Sequence, residues 1–336
     1  MDLLTGRFLD VVRKAGALSL LPLALASRSV FDTMSGDLAG SASLVAESRW
    51  VAEVTGGENT LTPMPEALLA AMRGHETAEQ LIHDTLQDST TRGQGVGVNM
   101  MHTARALLGN GLGRYEDALA AAREAAADPL EIGPPKWALA EAVEAGVRSG
   151  HADLAASAFE QLSAMTRASG TNLALGIEAA KGALLRDDRT AEGLYQEAIE
   201  RLRRTRIRVE LARTQLLYGE WLRRQGRRVD ARSQLRTAYE ALTAMGAQAF
   251  ADRAERELAA TGETVRKRSV ETRSQLTAQE AHIARLVAGG HTNPEIAAAL
   301  YISSRTVEWH LRKVFTKLGV TSRRQLRRLR HGDQTV

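Results

Sequence analysis

The stretch SSRTVEWHLRKVFTKLG, Ser303 to Gly319, decides how the C-terminal part of the chain is read. Wound as a helix, it gathers Val307, Leu311, Val314, Phe315 and Leu318 into one apolar stripe at i, i+4, i+7, i+8 spacing. At about 100° per residue, Trp309 points away from that stripe and stands among Arg305, Arg312, Lys313 and Thr316. A large ring in the middle of a cationic face is out of place in bulk water. The stretch therefore predicts a helix that buries one side in its own domain and offers the other to a partner.

The flanking residues predict three more short helices. In LTAQEAHIARLVAGG, Thr277 and Glu280 have capping-box spacing, Ile283, Leu286 and Val287 face inward, and Gly289 and Gly290 end the helix. In TNPEIAAAL, Asn293 is placed to cap and Pro294 to take the first helical position, with Ile296, Ala297 and Leu300 inward. Ser303 caps the quoted helix, and Ser322 caps a fourth, RRQLRRLRH, with Leu326 and Leu329 inward. Four short helices with a brief link between the second and third make a helix-turn-helix domain, whose third helix lies in the DNA major groove. There Trp309 can meet a thymine methyl or a sugar, and Arg312 the acceptors of guanine.

Charge agrees with this reading. From Thr264 to Val336 there are 14 Lys and Arg against 5 Asp and Glu, a surplus of +9, which leaves −5 on the rest of a chain of net charge +4. A basic tail on an acidic body points to a polyanion for the tail alone, although a merely solvated basic surface has the same count.

The residues from Leu276 to Leu326 also carry a resemblance. Leu276-Thr277, Glu280, Gly290, Asn293, Glu295-Ile296-Ala297, Leu300, Ser303, Thr306-Val307-Glu308, His310-Leu311, Lys317-Leu318-Gly319 and Arg323 resemble the LuxR-type helix-turn-helix domain along its whole length. The resemblance implies base contacts from Glu308, Trp309 and Arg312, and phosphate contacts from Ser303, Arg305, Thr306, Lys313 and Lys317. It further implies a transcriptional regulator acting at promoters as a homodimer on double-stranded DNA, with RNA polymerase as a partner and the fourth helix as dimer surface. Pro294 stands where the family usually has Lys, which removes one expected backbone contact. Glu308 either accepts from cytosine or orients Arg312 one turn on, the second role being favoured, and His310 is read as a packing or hydrogen-bonding residue.

Residues 1–260 show helical periodicity throughout. Turns at Gly113, Gly150, Asp188 and Gly226 recur every 37 or 38 residues, the period of a stacked helix-hairpin array. Ala118, Ala122, Ala231 and Ala238 let paired helices approach. The pattern loosely resembles tetratricopeptide repeats. NGLGRYEDALAAA and LLYGEWLRRQGRRVDAR are similar to the C-terminal part of the large ATP-binding regulators of the LuxR family, whose nucleotide-binding module is expected to be absent here, since no G-x-x-x-x-G-K-[ST] occurs. The expected architecture is all-α: a TPR-like helical-repeat region over 1–260 for an effector or protein partner, a polar linker over 261–275, and the DNA-binding domain over 276–336.

Other chemistry is sparse. The chain has no cysteine, excluding disulfides and cysteine metal sites and fitting a reducing compartment. AGALSLLPLALA, Ala15 to Ala26, is too short to cross a bilayer and contains Pro22, so a buried helix pair and a cytoplasmic location are expected. The glycines of TTRGQGVGVNMM, Thr90 to Met101, follow no strand and are read as a loop between helices rather than a phosphate site. Eight scattered histidines form no metal motif, and Ser149 in GVRSG lacks the context of a nucleophile elbow. No catalytic residue, cofactor or metal is expected, and the chain is not expected to be an enzyme. The competing reading is an interaction scaffold with weak, sequence-blind DNA binding.

Overall fold

In the computed structural model, residues 2–55, 61–75, 77–127, 134–186, 189–263, 278–300, 303–318, 320, 322–323 and 325–326 are described. Among them the elements are all helical: α1 (Asp2–Lys14), α2 (Leu21–Ser35), α3 (Leu38–Thr55), α4 (Pro63–Arg73), α5 (Ala78–Thr91), α6 (Gly95–Leu112), α7 (Tyr115–Ala125), α8 (Pro134–Ser149), α9 (Ala152–Ser169), α10 (Asn172–Leu184), α11 (Arg189–Arg203), α12 (Arg208–Arg224), α13 (Arg228–Met245), α14 (Gln248–Ala260), α15 (Ala278–Ala288), α16 (Asn293–Leu300) and α17 (Ser304–Leu318).

From α6 to α13 the chain runs as helix hairpins, each packed on the next. Gly113, Gly150 and Gly226 turn these hairpins with φ of 79°, 83° and 77°, a left-handed conformation that costs glycine little. The expected turn at Asp188 lies outside the described residues. Ala118, Ala122, Ala231 and Ala238 are fully buried at the hairpin seams, where a larger side chain would push the helices apart. The apolar segment near the N-terminus is not the expected buried helix pair: α1 ends before it, Ala15 to Leu20 form a largely exposed link, and α2 begins within it, with Pro22 in the first turn where its missing N–H costs nothing.

The glycine-rich stretch differs from expectation. The turn is confined to Arg92, Gly93 and Gln94, and Gly95 already opens α6. Gly97 sits inside that helix because a Cβ there would come within 2.5 Å of the Met64 methyl and 2.7 Å of the Ser89 hydroxyl. Gly97 alone of these serves close packing of α6 on α4 and α5; a Cβ on Gly93 or Gly95 would meet nothing within 4 Å.

The array also makes contacts beyond sequence neighbours. α12 touches α2 and α10, and α14 touches α4 and α6. A Cβ on Gly111 would lie 2.8 Å from the Ala249 methyl, so glycine is what lets α14 settle against α6. The space enclosed by this curvature is filled by charge. Glu144 of α8, buried, accepts from Lys181 Nζ of α10 (2.7 Å), Arg253 Nη1 of α14 (2.7 Å) and Arg213 Nη2 of α12 (3.1 Å). Arg213 grips both oxygens of Glu141 at 2.7 Å, and Arg253 grips Glu220 at 2.7 and 2.9 Å. Arg148 closes the set on Glu220, and Asn110 donates to Glu141 at 2.8 Å. Burial alone would push the Glu144 carboxyl up, but Lys181, Arg253 and Arg213 together hold it well below the usual range. Burial, with Arg253 nearby, brings the Arg148 guanidinium down to about 10.

α15, α16 and α17 form a separate small core of Ile283, Val287, Ile296, Val307, Leu311, Val314 and Leu326. Of the expected linker, Thr261 to Glu263 finish the end of α14, with Arg232 donating to the Thr261 carbonyl at 2.6 Å. The rest, and Thr277 with its expected cap, lie outside the described residues. No helix among the described residues is long and apolar enough to cross a membrane.

Candidate nucleic-acid interface

α17 divides as its sequence demands. Val307 and Val314 are fully buried, Leu311 nearly so, and Phe315 and Leu318 pack on the same core. The helix begins where Ser303 Oγ accepts the Thr306 amide at 3.0 Å, satisfying one of the free N–H groups of the first turn. The Thr306 hydroxyl lies 2.8 Å from the same oxygen, so both hydroxyls are grouped at the N-terminus of α17.

The opposite face is open. Trp309 is 54% exposed, and Ser303, Arg305, Glu308, Arg312 and Lys313 are exposed around it, with Thr306 partly so. Lys313 Nζ lies 3.6 Å from the centre of the Trp309 ring, a cation–π contact that fixes the ammonium on the indole face. His310 meets the same ring edge-on, with centroids 4.8 Å apart. That histidine is buried, its Nδ1 has no hydrogen-bond partner, and burial pushes its pKa below the usual value. It is a neutral packing residue that holds the indole outward, as expected. The side chain of Lys317, the remaining expected phosphate contact, lies outside the described residues.

The start of α16 differs from expectation. Asn293 does not cap it. Thr292 and Glu295 form a reciprocal box: the Glu295 amide donates to Thr292 Oγ1 (3.4 Å), and the Thr292 amide donates to Glu295 Oε2 (2.7 Å). Thr292 precedes Glu295 by the spacing that lets each side chain reach the other's amide, and Asn293 is one residue too late for that exchange. Asn293 is thereby freed to link α16 to α17 and to Arg323. Its Oδ1 accepts from Arg323 (2.6 Å), and its Nδ2 donates to Glu308 Oε1 on α17 at 3.5 Å. Arg323 also donates to the His291 carbonyl at 2.8 Å. The Gln325 amide donates to Ser322 Oγ at 3.3 Å, the expected cap, and Leu326 is buried; Leu329 is outside the described residues. Of the two glycines after α15, Gly290 carries the left-handed turn at φ 101°, and the His291 amide returns to the Leu286 carbonyl.

α15 turns its outer side to α3. His282 Nδ1 lies 4.0 Å from Glu47, which also accepts from Arg13 at 2.6 Å. Burial lowers the pKa of His282, against the opposing pull of Glu47. The basic face of α17 stays outside this contact.

Helix order, the short α16–α17 link and an outward cationic face on the third helix are the geometry of a helix-turn-helix, and the comparison with known families agrees. Residues 274–329 match the model described as bacterial regulatory proteins, luxR family. The C-terminal segment is a luxR-family helix-turn-helix domain. Over that region the chain is 41% identical across 58 residues to the HTH-type transcriptional regulator AlkS of Alcanivorax borkumensis, a stretch covering 17% of this chain and 7% of that relative. It is 45% identical across 65 residues to a putative HTH-type transcriptional regulator of Mycobacterium bovis, covering 19% of this chain and 7% of the relative. It is 40% identical across 50 residues to AlkS of Pseudomonas putida, or 15% and 6% of the two chains. The matching stretch thus spans less than a tenth of the length of these curated relatives.

Proposed function

We propose that this chain is a sequence-specific DNA-binding transcriptional regulator that acts at promoters through α17, with the helical array of residues 1–260 binding an effector or partner protein. The observation that carries this reading is the half-exposed Trp309 with Lys313 stacked upon it, on the face of α17 that its own core does not use. In this reading Glu308, Trp309 and Arg312 touch base edges. Ser303, Arg305, Thr306, Lys313 and Lys317 hold phosphates, with the free amides at the start of α17 adding to the anion site. Glu308 has the Asn293 amide 3.5 Å away on its inner side, which suits orienting Arg312 on guanine rather than entering the groove as an unpaired negative charge. Two copies bind half-sites about one helical turn apart, paired through the fourth helix, and recruit RNA polymerase in the cytoplasm. Residues 1–260, 261–275 and 276–336 act as array, linker and DNA-binding domain.

The test is competition binding of the full chain to selected and scrambled duplexes. Arg312→Ala is expected to cost about 1–3 kcal/mol on the selected sequence and to relax preference at one base pair. Lys317→Ala is expected to weaken all sequences alike and to reduce the salt slope by about one. Equal losses on every sequence for Arg312→Ala would assign that residue to phosphate. Weak, sequence-blind binding by the unaltered chain would leave an interaction scaffold as the better description.

A further inference from the structure

Between α2 and the α8–α10 hairpins lies a cavity of about 380 Å³. Its size falls in the range of small-molecule sites. Phe31, Trp137, Leu162, Met165, Leu173 and Ile177 are among the apolar side chains of its wall. Two carboxylates also line it, Glu141 and Glu210, and among the described residues no Lys or Arg does. Glu141 spends both oxygens on Arg213. Glu210 is also buried, yet only its Oε1 is engaged, by Arg213 at 3.2 Å, which leaves the second oxygen free to accept.

This lining selects a ligand by chemistry. Apolar walls reject a molecule that must keep its water, such as a sugar or nucleotide. An anion would enter beside two buried carboxylates that share the single charge of Arg213 behind them, and would meet both desolvation and the remaining repulsion. A neutral or cationic molecule that carries one N–H or O–H donor on an apolar body gains the walls and completes Glu210. α2 forms one side of the cavity and packs on α3, the helix against which α15 rests. An occupant therefore touches the wall that adjoins the DNA-binding segment.

We propose that this cavity is a binding site for a small, largely apolar, neutral or cationic molecule that donates a hydrogen bond to Glu210. The proposal rests on the reading of the array as the effector-binding region and names the ligand class that region takes.

A matched pair of fluorescent probes tests it on the full chain. N-phenylnaphthylamine is apolar, neutral and carries one N–H, and anilinonaphthalene sulfonate is the same skeleton with an anionic group. The neutral probe is expected to bind saturably at a single site, and the sulfonate roughly tenfold more weakly or worse. Ala174→Phe places a ring in the cavity from the first turn of α10 and is expected to abolish neutral-probe binding. Glu210→Gln keeps an acceptor for Arg213, removes the charge, and is expected to narrow the difference between the probes. Unchanged melting of both variants shows that they fold. Equal affinity for the two probes, no saturable binding of the neutral one, or binding indifferent to Ala174→Phe would overturn the proposal. DNA binding is measured on the same preparations. A chain that binds its duplex but not the probe loses only this inference, and one that takes the probe but reads no DNA sequence loses the regulator reading instead.

Discussion

Replacing Glu144 by Gln should be among the most damaging single changes in the body. The carboxylate is fully buried and faces three cations, but they do not depend on it equally. Arg213 keeps its two bonds to Glu141, and Arg253 keeps its two to Glu220. Lys181 is held by Glu144 at 2.7 Å and is itself 2% exposed. The loss therefore falls on one ammonium stranded in the interior, and breaking a buried pair from one side costs about 3–5 kcal/mol. Against a typical total of roughly 5–15 kcal/mol, that is a large share. Urea unfolding followed by circular dichroism measures it. Adding Lys181→Met removes the stranded charge, so the double variant should recover about 2 kcal/mol relative to Glu144→Gln. The pH dependence has a fixed sign. A carboxyl held below its ordinary value contributes stability above that value and loses it as pH falls through the lowered one, so Glu144→Gln should flatten the acid limb of the stability profile. A Glu144→Gln protein within about 1 kcal/mol of the parent, or a double variant in which the two losses simply add, would refute the reasoning.

The remaining expectations concern the small core and its contacts. Thr292→Ala removes one half of the box that starts α16 and should lower stability by about 1 kcal/mol, whereas Asn293→Ala should leave the α16 cap intact and loosen Arg323, as thermal melts and amide exchange would show. His282 faces Glu47 of α3, Arg13 of α1 and Arg285 of its own helix, and burial holds its pKa down. Docking of α15 on α3 is then fullest above the ordinary histidine value of about 6.5 and weakens as pH falls from there toward the lowered one. The protection factors of α15 amides, the intrinsic exchange rate at each pH divided by the observed one, should fall over that window, and His282→Gln should remove the effect; protection factors independent of pH would contradict the assignment. Gly111→Val sets methyl groups against Ala249 and should cost about 1–3 kcal/mol by prying α14 from α6, read from chemical unfolding.

Much of the DNA-binding segment is legible from residues alone because its signals are local. The apolar stripe of α17 repeats at the helical period, and Ser303 caps within three residues of the amide it serves. Thr292 stands three residues before Glu295 as Thr277 stands before Glu280, but Asn293 before Pro294 is an equally good local cap, so local spacing alone does not choose between them. The buried charges of the array carry no such signal. Arg213 and Glu141 are 72 residues apart, and Arg253 and Glu144 are 109 apart. On a helix, Glu, Lys and Arg read as solvated faces. Only the enclosure of α8 and α12 by other helices, a tertiary property, turns them inward. α12 is buried from Ala212 to Leu222, so it has no polar side for a periodicity argument to find.

The charged centre of the array also bears on how such a chain can change over generations. Hairpin arrays ordinarily gain or lose units freely, since each unit meets only its neighbours. Here one carboxylate on α8 is shared among α10, α12 and α14. Inserting or deleting a hairpin between them would misplace at least one cation by a whole unit. The number of hairpins between α8 and α14 is therefore tied to electroneutrality at the centre, and changing it would leave a charge buried without its partner.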